Sequence, residues 1–403
     1  MVWLCLALIP ASFLIAFPAT AALIRVGHRF GTFDSEGVPG QVKVRRRIPN
    51  TGGIAIFWAI AVPMLLGLML VNGIDAAPDS EWRTDFSLIP ADLHEYVAGI
   101  QQVTRPALIL LGSLLLLHVL GLRDDRRPMG PWFKLAVMAI PAVAVPLLTR
   151  TRLLELLDPH VGGAWLSIAL TALWFLVVTN AMNFMDNMDG LSAGVAAIAG
   201  SCFLAGTLTS PQPQWFVAAC LALLIGACLG FLCYNAPRRG GARVFMGDGG
   251  SLVLGFLLAF LTARTTYYGE PGPSHAVASG NWYAVFMPLV VLAVPLYDFG
   301  SVVLIRLSQG KSPFVGDLQH LSHRLTGLGL SRASAVAVVW GLTAATGISG
   351  IALASLRPWQ ALLVGVQTVV LLLVIALFEY SRAGGRGQGT ADSTEVGAAT
   401  ERP

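Results

Sequence analysis

The sequence predicts an all-α, polytopic integral membrane protein of about 11 transmembrane helices. Of its 403 residues, 55% are hydrophobic and only 12% are charged, and the mean hydropathy of +0.70 exceeds that of soluble globular domains. Uncharged apolar runs recur along almost the whole chain, and each is long enough to cross a hydrocarbon core of roughly 30 Å as a helix. A soluble single domain is therefore excluded, and the scattered net charge of +4 does not indicate nucleic-acid binding.

Apolar stretches bounded by charged residues, proline or glycine define the candidate helices. They are residues 2–24, 53–72, 106–122, 132–149, 164–181, 189–208, 215–234, 250–265, 282–304, 333–355 and 359–380. The first stretch lacks the basic region that precedes the apolar core of a secretory signal, so we predict an uncleaved helix. The five cysteines lie in apolar stretches without the spacing of metal or disulfide sites, and we interpret them as core residues.

The basic residues predict the orientation, because cytoplasmic loops of membrane proteins hold the excess of Lys and Arg. Most of the 26 Lys and Arg residues fall on the cytoplasmic side if the N-terminus is outside and the C-terminus inside. The longest outer segment, about residues 73–105, is then an acidic insertion. We predict one transmembrane catalytic domain over residues 1–380 and a disordered cytoplasmic tail over residues 381–403, which has no apolar period.

Acidic and amide residues then gather on the cytoplasmic side. The pair Asp124 and Asp125 ends the third span, although the two arginines that follow would equally explain it as a self-neutralised loop. A second group joins the fifth and sixth spans at intervals of three: Asn180, Asn183, Asp186 and Asp189. Residues at this spacing share a slowly drifting helix face. They are costly at the end of a membrane helix unless they meet each other, water or a cation. A polar cap between the two helices is the alternative interpretation.

A glycine-rich turn around Asp248 introduces the eighth span. A helix N-terminus favours an anion, although a flexible turn would explain the same residues. Carboxylate and amide oxygens from several loops are ligands of Mg²⁺, which commonly binds one or two carboxylates together with substrate phosphates. The pattern therefore predicts a phosphate-bearing substrate bridged by Mg²⁺. Arginines of the inner loops, such as Arg45, would neutralise phosphate oxygens, but the cytoplasmic excess of basic residues explains them equally well.

The loop after the ninth span adds His320 and His323. Zinc would have to complete its ligand set with carboxylates, because no cysteine is near, so hydrogen bonding to phosphate or sugar hydroxyls is favoured. Asp298 lies inside the ninth predicted span. The cost of an ionised group in a membrane predicts that it faces a substrate cavity or pairs with a neighbouring element, and the sequence leaves both roles open.

Six segments in this order resemble the polyprenyl-phosphate N-acetylhexosamine-1-phosphate transferase family, glycosyltransferase family 4. They are RIPNTGG (47–53), LRDD (122–125), NAMNFMDNMDGL (180–191), NAP (235–237), VFMGDGGS (244–251), and SPF (312–314) leading into DLQHLSHRL (317–325). The resemblance covers essentially the whole chain. The first and last segments are similar to the undecaprenyl-phosphate N-acetylglucosaminyl-1-phosphate transferase branch, although Ser322 stands where that branch usually has a third histidine.

The resemblance implies a role for each matching residue. The catalytic residues would be Asp124, Asp125, Asp186, His320 and His323. The substrate-binding residues would be Arg45, Asn50, Asn183, Asp189, Asn235 and Arg324. Mg²⁺, with Mn²⁺ as the alternative ion, would be held by Asp248, Asp186 and Asp125.

The expected reaction is transfer of N-acetylhexosamine-1-phosphate, with N-acetylglucosamine as the favoured sugar, from a UDP-sugar to undecaprenyl phosphate with release of UMP. The enzyme would lie in the bacterial inner membrane with a cytoplasmic active site, and its product would feed a cell-envelope glycan such as lipopolysaccharide. A homodimer and a covalent two-step route are left open. The alternatives are a phospho-N-acetylmuramoyl-pentapeptide transferase, a secondary transporter and a polyprenyl-phosphate-binding scaffold. The transporter is disfavoured because the polar residues gather on one side.

Overall fold

The computed structural model describes residues 1–33, 47–75, 94–210, 213–237, 240–265, 286–314, 318–353 and 356–388. Within these ranges the chain is almost entirely helical, which confirms the predicted all-α class. The helices are α1 (Val2–Phe30), α2 (Gly52–Asp75), α3 (His94–Gln102), α4 (Thr104–Arg126), α5 (Pro131–Thr149), α6 (Asp158–Val161), α7 (Trp165–Phe184), α8 (Leu191–Thr209), α9 (Trp215–Asn235), α10 (Asp248–Thr265), α11 (Met287–Val291), α12 (Ala293–Ser308), α13 (Leu321–Gly327), α14 (Arg332–Ala352) and α15 (Pro358–Gln388).

Nine helices within the described ranges are long and apolar enough to cross a membrane, and they match nine of the predicted stretches. They are α1, α2, α4, α5, α7, α8, α9, α14 and α15. The protein is therefore a multi-pass membrane protein. The predicted stretch 250–265 is α10, which is 18 residues long and carries Asp248 and Arg264 at its ends. The stretch 282–304 contains the broken pair α11 and α12. A total of 11 spans and the outside N-terminus stay predictions.

Helix α10 lies at the centre of the bundle, against α2, α4, α7, α8 and α9. Every residue from 249 to 263 is buried, as expected for a helix that is apolar on all sides. On one flank α1 packs along α9, where Gly226 and Gly230 let the two backbones approach. A methyl group at Gly230 would lie 2.7 Å from the Cβ atom of Ala16. Small residues at such crossings gain van der Waals contact between helices in lipid.

The segments that lead into α2 and α10 run side by side at one end of the bundle. Phe245 donates its N–H to the carbonyl of Pro49 at 2.8 Å, and Gly52 donates to the carbonyl of Phe245 at 2.9 Å. Asn50 and Phe245 form a parallel bridge. Because the two segments share these bonds, the beginnings of α2 and α10 lie together, next to the end of α4.

The last helix is longer than predicted. α15 continues to Gln388, past the predicted domain boundary at residue 380, because each further residue adds one backbone hydrogen bond to a helix that already exists. The predicted tail beyond it, residues 389–403, and most of the acidic insertion, residues 76–93, lie outside the described residues.

Candidate active site

Asp125, near the end of α4, holds the beginning of α10. Its Oδ1 accepts a hydrogen bond from the N–H of Asp248 at 3.0 Å, and its Oδ2 accepts one from the N–H of Gly249 at 3.2 Å. The first N–H groups of a helix have no partner inside the helix and favour a negative charge. Gly247 precedes them with a φ of 68°, and a Cβ atom there would lie 2.5 Å from Oδ2 of Asp125. Only glycine fits this turn.

Asp124 and Asp248 converge on the ammonium group of Lys134, in the first turn of α5. The Nζ atom of Lys134 lies 3.1 Å from Oδ2 of Asp124 and forms a second ion pair with Oδ2 of Asp248. Oδ1 of Asp124 accepts the N–H of Met129 at 2.6 Å, which closes the turn between α4 and α5. Sequence reasoning missed Lys134, although a lysine inside a predicted span signals a paired group.

The ionisation of Asp248 follows from these contacts. Burial disfavours the charged form, but the Lys134 ammonium and hydrogen bonds to the carboxylate hold the pKa of Asp248 below its usual value. The carboxylate therefore stays negative at neutral pH.

Asn183, near the end of α7, completes this cluster. Its Nδ2 donates to Oδ1 of Asp248 at 2.7 Å and to Oγ of Ser251 at 2.9 Å. Ser251 in turn donates to the carbonyl of Gly247 at 3.1 Å. The ends of α4 and α7 and the beginnings of α5 and α10 thus meet around one carboxylate, as the grouping of predicted residues in the sequence implied.

His118 supports the cluster from within the bundle. Its Nδ1 lies 2.7 Å from the carbonyl oxygen of Gly249, to which it donates, and its ring stacks on Phe57 with centroids 4.5 Å apart. Gly121 packs directly on the backbone of Asp248 and Gly249. Sequence reasoning missed His118, although an ionisable residue inside a predicted span signals a paired group. For Gly121 the apolar stretch offered no signal.

Asn235 and Asp189 connect loops. Asn235 donates to the carbonyl of Val244 at 2.8 Å and accepts the N–H of Gly190 at 2.8 Å, and it is 4% exposed. Oδ2 of Asp189 accepts the N–H of Ala242 at 3.0 Å. Both atoms of the Asn235 amide are therefore engaged within the chain, while its predicted contact with the nucleoside stays a prediction.

The segment that carries His320 and His323, residues 318–325 and called the histidine loop below, contacts α12. Nδ1 of His320 lies 2.9 Å from Oδ2 of Asp298, and the N–H of Leu321 donates to Oδ1 of Asp298 at 2.5 Å. Of the two roles that the sequence left open for Asp298, the structure places it in a pairing between α12 and this loop. His323 follows on α13, with its ring centroid 6.5 Å from that of His320.

The same loop makes three further hydrogen bonds. Nε of Arg324 donates to Oε1 of Glu379 in α15 at 3.0 Å, and a terminal nitrogen donates to Oγ of Ser301 at 2.8 Å. Ser322, which replaces the usual third histidine, donates to Oδ1 of Asn187 at 2.5 Å. The loop is therefore attached both to α15 and to the segment that follows α7.

The remaining predicted residues are Asn50, Asp186, Arg45 and Asp317. Asn50 is 9% exposed, and its side chain lies against Gly247. Asp186 is partly exposed in the loop after α7. Arg45 lies outside the described residues, as does Asp317.

The acidic residues around Lys134 are the candidate ligands of the predicted metal ion. Among the described residues, no group of three or more His, Cys, Asp or Glu side chains is arranged to hold a metal. Two carboxylates, those of Asp124 and Asp248, do face one cationic group, which is Lys134. Mg²⁺ commonly takes one or two carboxylates and completes its shell with phosphate oxygens and water. Asp248 with one acidic neighbour is therefore a donor set compatible with a metal that arrives with a diphosphate.

Comparisons with known proteins agree with this arrangement. The family model for glycosyl transferase family 4 matches residues 107–266, which contain Asp124, Asp125, Lys134, Asn183 and Asp248. A decaprenyl-phosphate N-acetylglucosaminephosphotransferase of Mycolicibacterium smegmatis is 30% identical over 84% of this chain and 80% of the relative. The chain belongs to glycosyl transferase family 4.

Two other relatives are similar over most of this chain. A probable undecaprenyl-phosphate N-acetylglucosaminyl 1-phosphate transferase of Bacillus subtilis is 26% identical over 89% of this chain and 87% of the relative. A phospho-N-acetylmuramoyl-pentapeptide-transferase of Desulforudis audaxviator is 28% identical over 60% of this chain and 71% of the relative. This family 4 protein is thus a polyprenyl-phosphate sugar-phosphate transferase that resembles the N-acetylglucosaminyl branch.

Proposed function

We propose that this transferase moves N-acetylglucosamine-1-phosphate from UDP-N-acetylglucosamine to undecaprenyl phosphate at the cytoplasmic face of a bacterial inner membrane. An oxygen of the acceptor phosphate forms a bond to the phosphorus that carries the sugar. The bond from that phosphorus to the bridging oxygen breaks, and UMP leaves with the electron pair. The product is undecaprenyl-diphospho-N-acetylglucosamine, a precursor of a cell-envelope glycan.

The convergence of Asp124, Asp248 and Lys134 carries this proposal. One anionic phosphate must attack another, and their repulsion is severe near a membrane interior of low dielectric. The site therefore has to supply positive charge and alignment. Lys134 supplies one ammonium group, which is paired with two carboxylates, so the further positive charge would come from the metal ion. The amide of Asn183 orients Asp248.

The contacts of the two aspartates favour direct attack by the acceptor. Asp125 accepts backbone hydrogen bonds at both oxygens, and Asp124 is held by Met129 and Lys134. Carboxylates held in this way are weaker nucleophiles, so an acyl-phosphate intermediate is disfavoured. The acceptor phosphate is largely ionised near neutral pH, and a strong base is not required.

Mg²⁺ is part of the proposal. Asp248 and one acidic neighbour, Asp125 or Asp186, would hold it together with the diphosphate of the donor. When bound, the ion would screen the diphosphate and stabilise the charge that develops on departing UMP. Treatment with EDTA is expected to abolish turnover, and added Mg²⁺ or Mn²⁺ is expected to restore it.

The test is UMP release by detergent-purified protein supplied with undecaprenyl phosphate, Mg²⁺ and a panel of UDP-sugars. Asp248→Asn and Asp125→Asn should each lose more than about 100-fold in turnover, the scale expected when charge stabilisation is removed. Asp158→Asn is the matched control, because Asp158 pairs with Arg152 away from the cluster. Near-full turnover in both site variants would reject the assignment.

The panel also separates the alternatives. Release of UMP from UDP-N-acetylmuramoyl-pentapeptide, but not from UDP-N-acetylglucosamine, would favour the muramoyl-pentapeptide reaction of the Desulforudis relative. A secondary transporter would instead show counterflow of a labelled solute in proteoliposomes without UMP release.

A further inference from the structure

We infer that Asp298 is a positioning residue that sets the tautomer of His320 for the transfer reaction. This inference rests on the proposed function, in which the histidine loop closes on the donor. The role of Asp298 itself follows from its place in helix α12, beneath that loop.

Asp298 is buried, and its carboxylate binds the histidine loop. It is 1% exposed, and both carboxylate oxygens bind the loop, one to the ring of His320 and the other to the N–H of Leu321. An acidic residue in a membrane helix is costly and is retained where it has a specific partner. The N–H of Leu321 lies at the start of α13, so one carboxylate anchors both the imidazole and the helix behind it.

This geometry determines which nitrogen of His320 carries the proton. An ionised carboxylate only accepts hydrogen bonds, so Nδ1 must donate to Asp298. In neutral imidazole the other nitrogen, Nε2, is then an acceptor. Within the described part of the chain, the structure gives no hydrogen bond to Nε2. His320 is 6% exposed, so little of its surface is open to a contact from outside the chain.

His320 is also close to the site. Its ring meets the ring of Phe184 edge-on, with centroids 5.4 Å apart. Phe184 is the last residue of α7 and follows Asn183, which binds Asp248. The oriented imidazole therefore lies beside the end of α7, whose Asn183 binds the central carboxylate. In the proposed reaction, Nε2 of His320 would accept a hydrogen bond from a hydroxyl group of the donor sugar.

The substitution Asp298→Asn separates two roles of Asp298: setting the tautomer of His320 and attaching the histidine loop to α12. Asn has the same shape as Asp, and its oxygen can still accept the N–H of Leu321. Its NH₂ group would then face Nδ1 and donate to it, which moves the proton of the imidazole to Nε2. A comparable change in Ser-His-Asp enzymes keeps the geometry and lowers kcat because the tautomer is wrong.

The experiment measures UMP release and histidine ¹⁵N spectra of the full-length protein in lipid. Asp298→Asn should lower kcat about 10-fold or more while the KM for the donor changes less than about two-fold. The double variant with His320→Gln should be no worse than His320→Gln alone, because residues that act as a unit are not additive. The His320 signal, identified by its loss in His320→Gln, should be protonated on Nδ1 in the parent and on Nε2 in Asp298→Asn.

The control is Thr343→Ala, which removes a buried hydroxyl bonded within α14 to the carbonyl of Val339 and should leave kcat unchanged. An unchanged kcat in Asp298→Asn, multiplicative losses in the double variant, or an unchanged His320 tautomer would overturn the inference. If the parent protein releases no UMP, the proposed function fails. The ¹⁵N spectra then still decide whether Asp298 sets the tautomer.

Discussion

Lys134 in α5 forms an ion pair with Asp248, the first residue of α10. The two residues are far apart in the chain, and the pair is 16% and 24% exposed at its two side chains. The same ammonium group binds Asp124 at the end of α4. One cation therefore joins three helices at the place where anionic phosphates have to be accommodated.

Replacement of Lys134 tests this ion pair. Lys134→Met should lower turnover more than about 100-fold, because it removes fixed positive charge from the site. It should also lower the unfolding temperature, because two partly buried carboxylates lose their partner. The turnover of Lys134→Arg should lie between those of the parent and Lys134→Met, because a planar guanidinium keeps the charge but does not reproduce a compact ammonium.

The control for this substitution is Lys311→Met, since Lys311 is an exposed lysine that binds Gln309. Turnover is measured by UMP release and stability by thermal unfolding in detergent. Full activity in Lys134→Met would show that the lysine is dispensable.

Gly121 tests the close approach of α4 and α10. In Gly121→Ala the new methyl group would overlap the backbone of Asp248 and Gly249, so α10 has to shift at its first turn. We expect a loss of about 10-fold or more in kcat, since small displacements of catalytic groups are costly. Gly112→Ala on the same helix meets no atom within 4 Å and should be harmless. Equal activity of the two variants would contradict this packing.

Ser322 tests the attachment of the histidine loop to Asn187. Ser322→Ala removes a neutral hydrogen bond to Asn187 worth about 0.5–1.5 kcal/mol, so kcat/KM should fall about two- to ten-fold. Asn187→Ala removes the same bond and a second one to the carbonyl of Phe184, so the double variant should lose no more than Asn187→Ala alone. Ser322→His should lose more, because Ser322 is 1% exposed and a larger ring has no space. The control is Ser308→Ala, an exposed serine bonded within its own helix, and additive losses in the double variant would argue against a shared contact.

Substitution of Asn235 tests whether this residue stabilises the loops or binds the nucleoside. Asn235→Ala removes bonds to Val244 and Gly190, and leaving those buried groups unpaired should cost about 1–3 kcal/mol of stability. Asn72→Ala, which removes a side chain bonded to Leu68 and Thr104, is the comparison. A lower unfolding temperature is the expected result. An unchanged unfolding temperature with a raised KM for the UDP-sugar would instead favour a direct nucleoside contact.

The predicted orientation can be measured by cysteine labelling in a variant without the five native cysteines. Gly130→Cys and Gly240→Cys have open space around the new side chain and should react with an impermeant reagent only after the inner membrane is permeabilised. Leu156→Cys, at a position that is 59% exposed in the predicted outer loop between α5 and α7, should react in cells with only the outer membrane permeabilised. Reaction of Gly130→Cys and Gly240→Cys from opposite sides would separate Asp124 from Asp248 and contradict a single site.

Much of the candidate site was predictable because its residues are adjacent in short segments. The Asp124–Asp125 pair and the three-residue spacing of Asn183 and Asp186 are visible along the chain, and the distribution of basic residues put them on one side. Asn183 and Asp248 do bind each other. Lys134 and His118 were missed, although an ionisable residue inside a predicted span signals a paired group. Gly121 could not be recognised, because its importance comes from its contact with the backbone of another helix.

By itself the sequence determined that this chain spans a membrane through apolar helices and that its acidic and amide residues belong to a few loops. Both conclusions depend on local composition, since the hydrocarbon core selects for long apolar helices. Only the tertiary structure decided that Asp125 holds the start of α10, that Lys134 lies between two carboxylates, and that Asp298 binds the histidine loop. Such pairings depend on how helices pack, and a charge buried far from its partner in sequence acquires a defined role only when folding brings the two together.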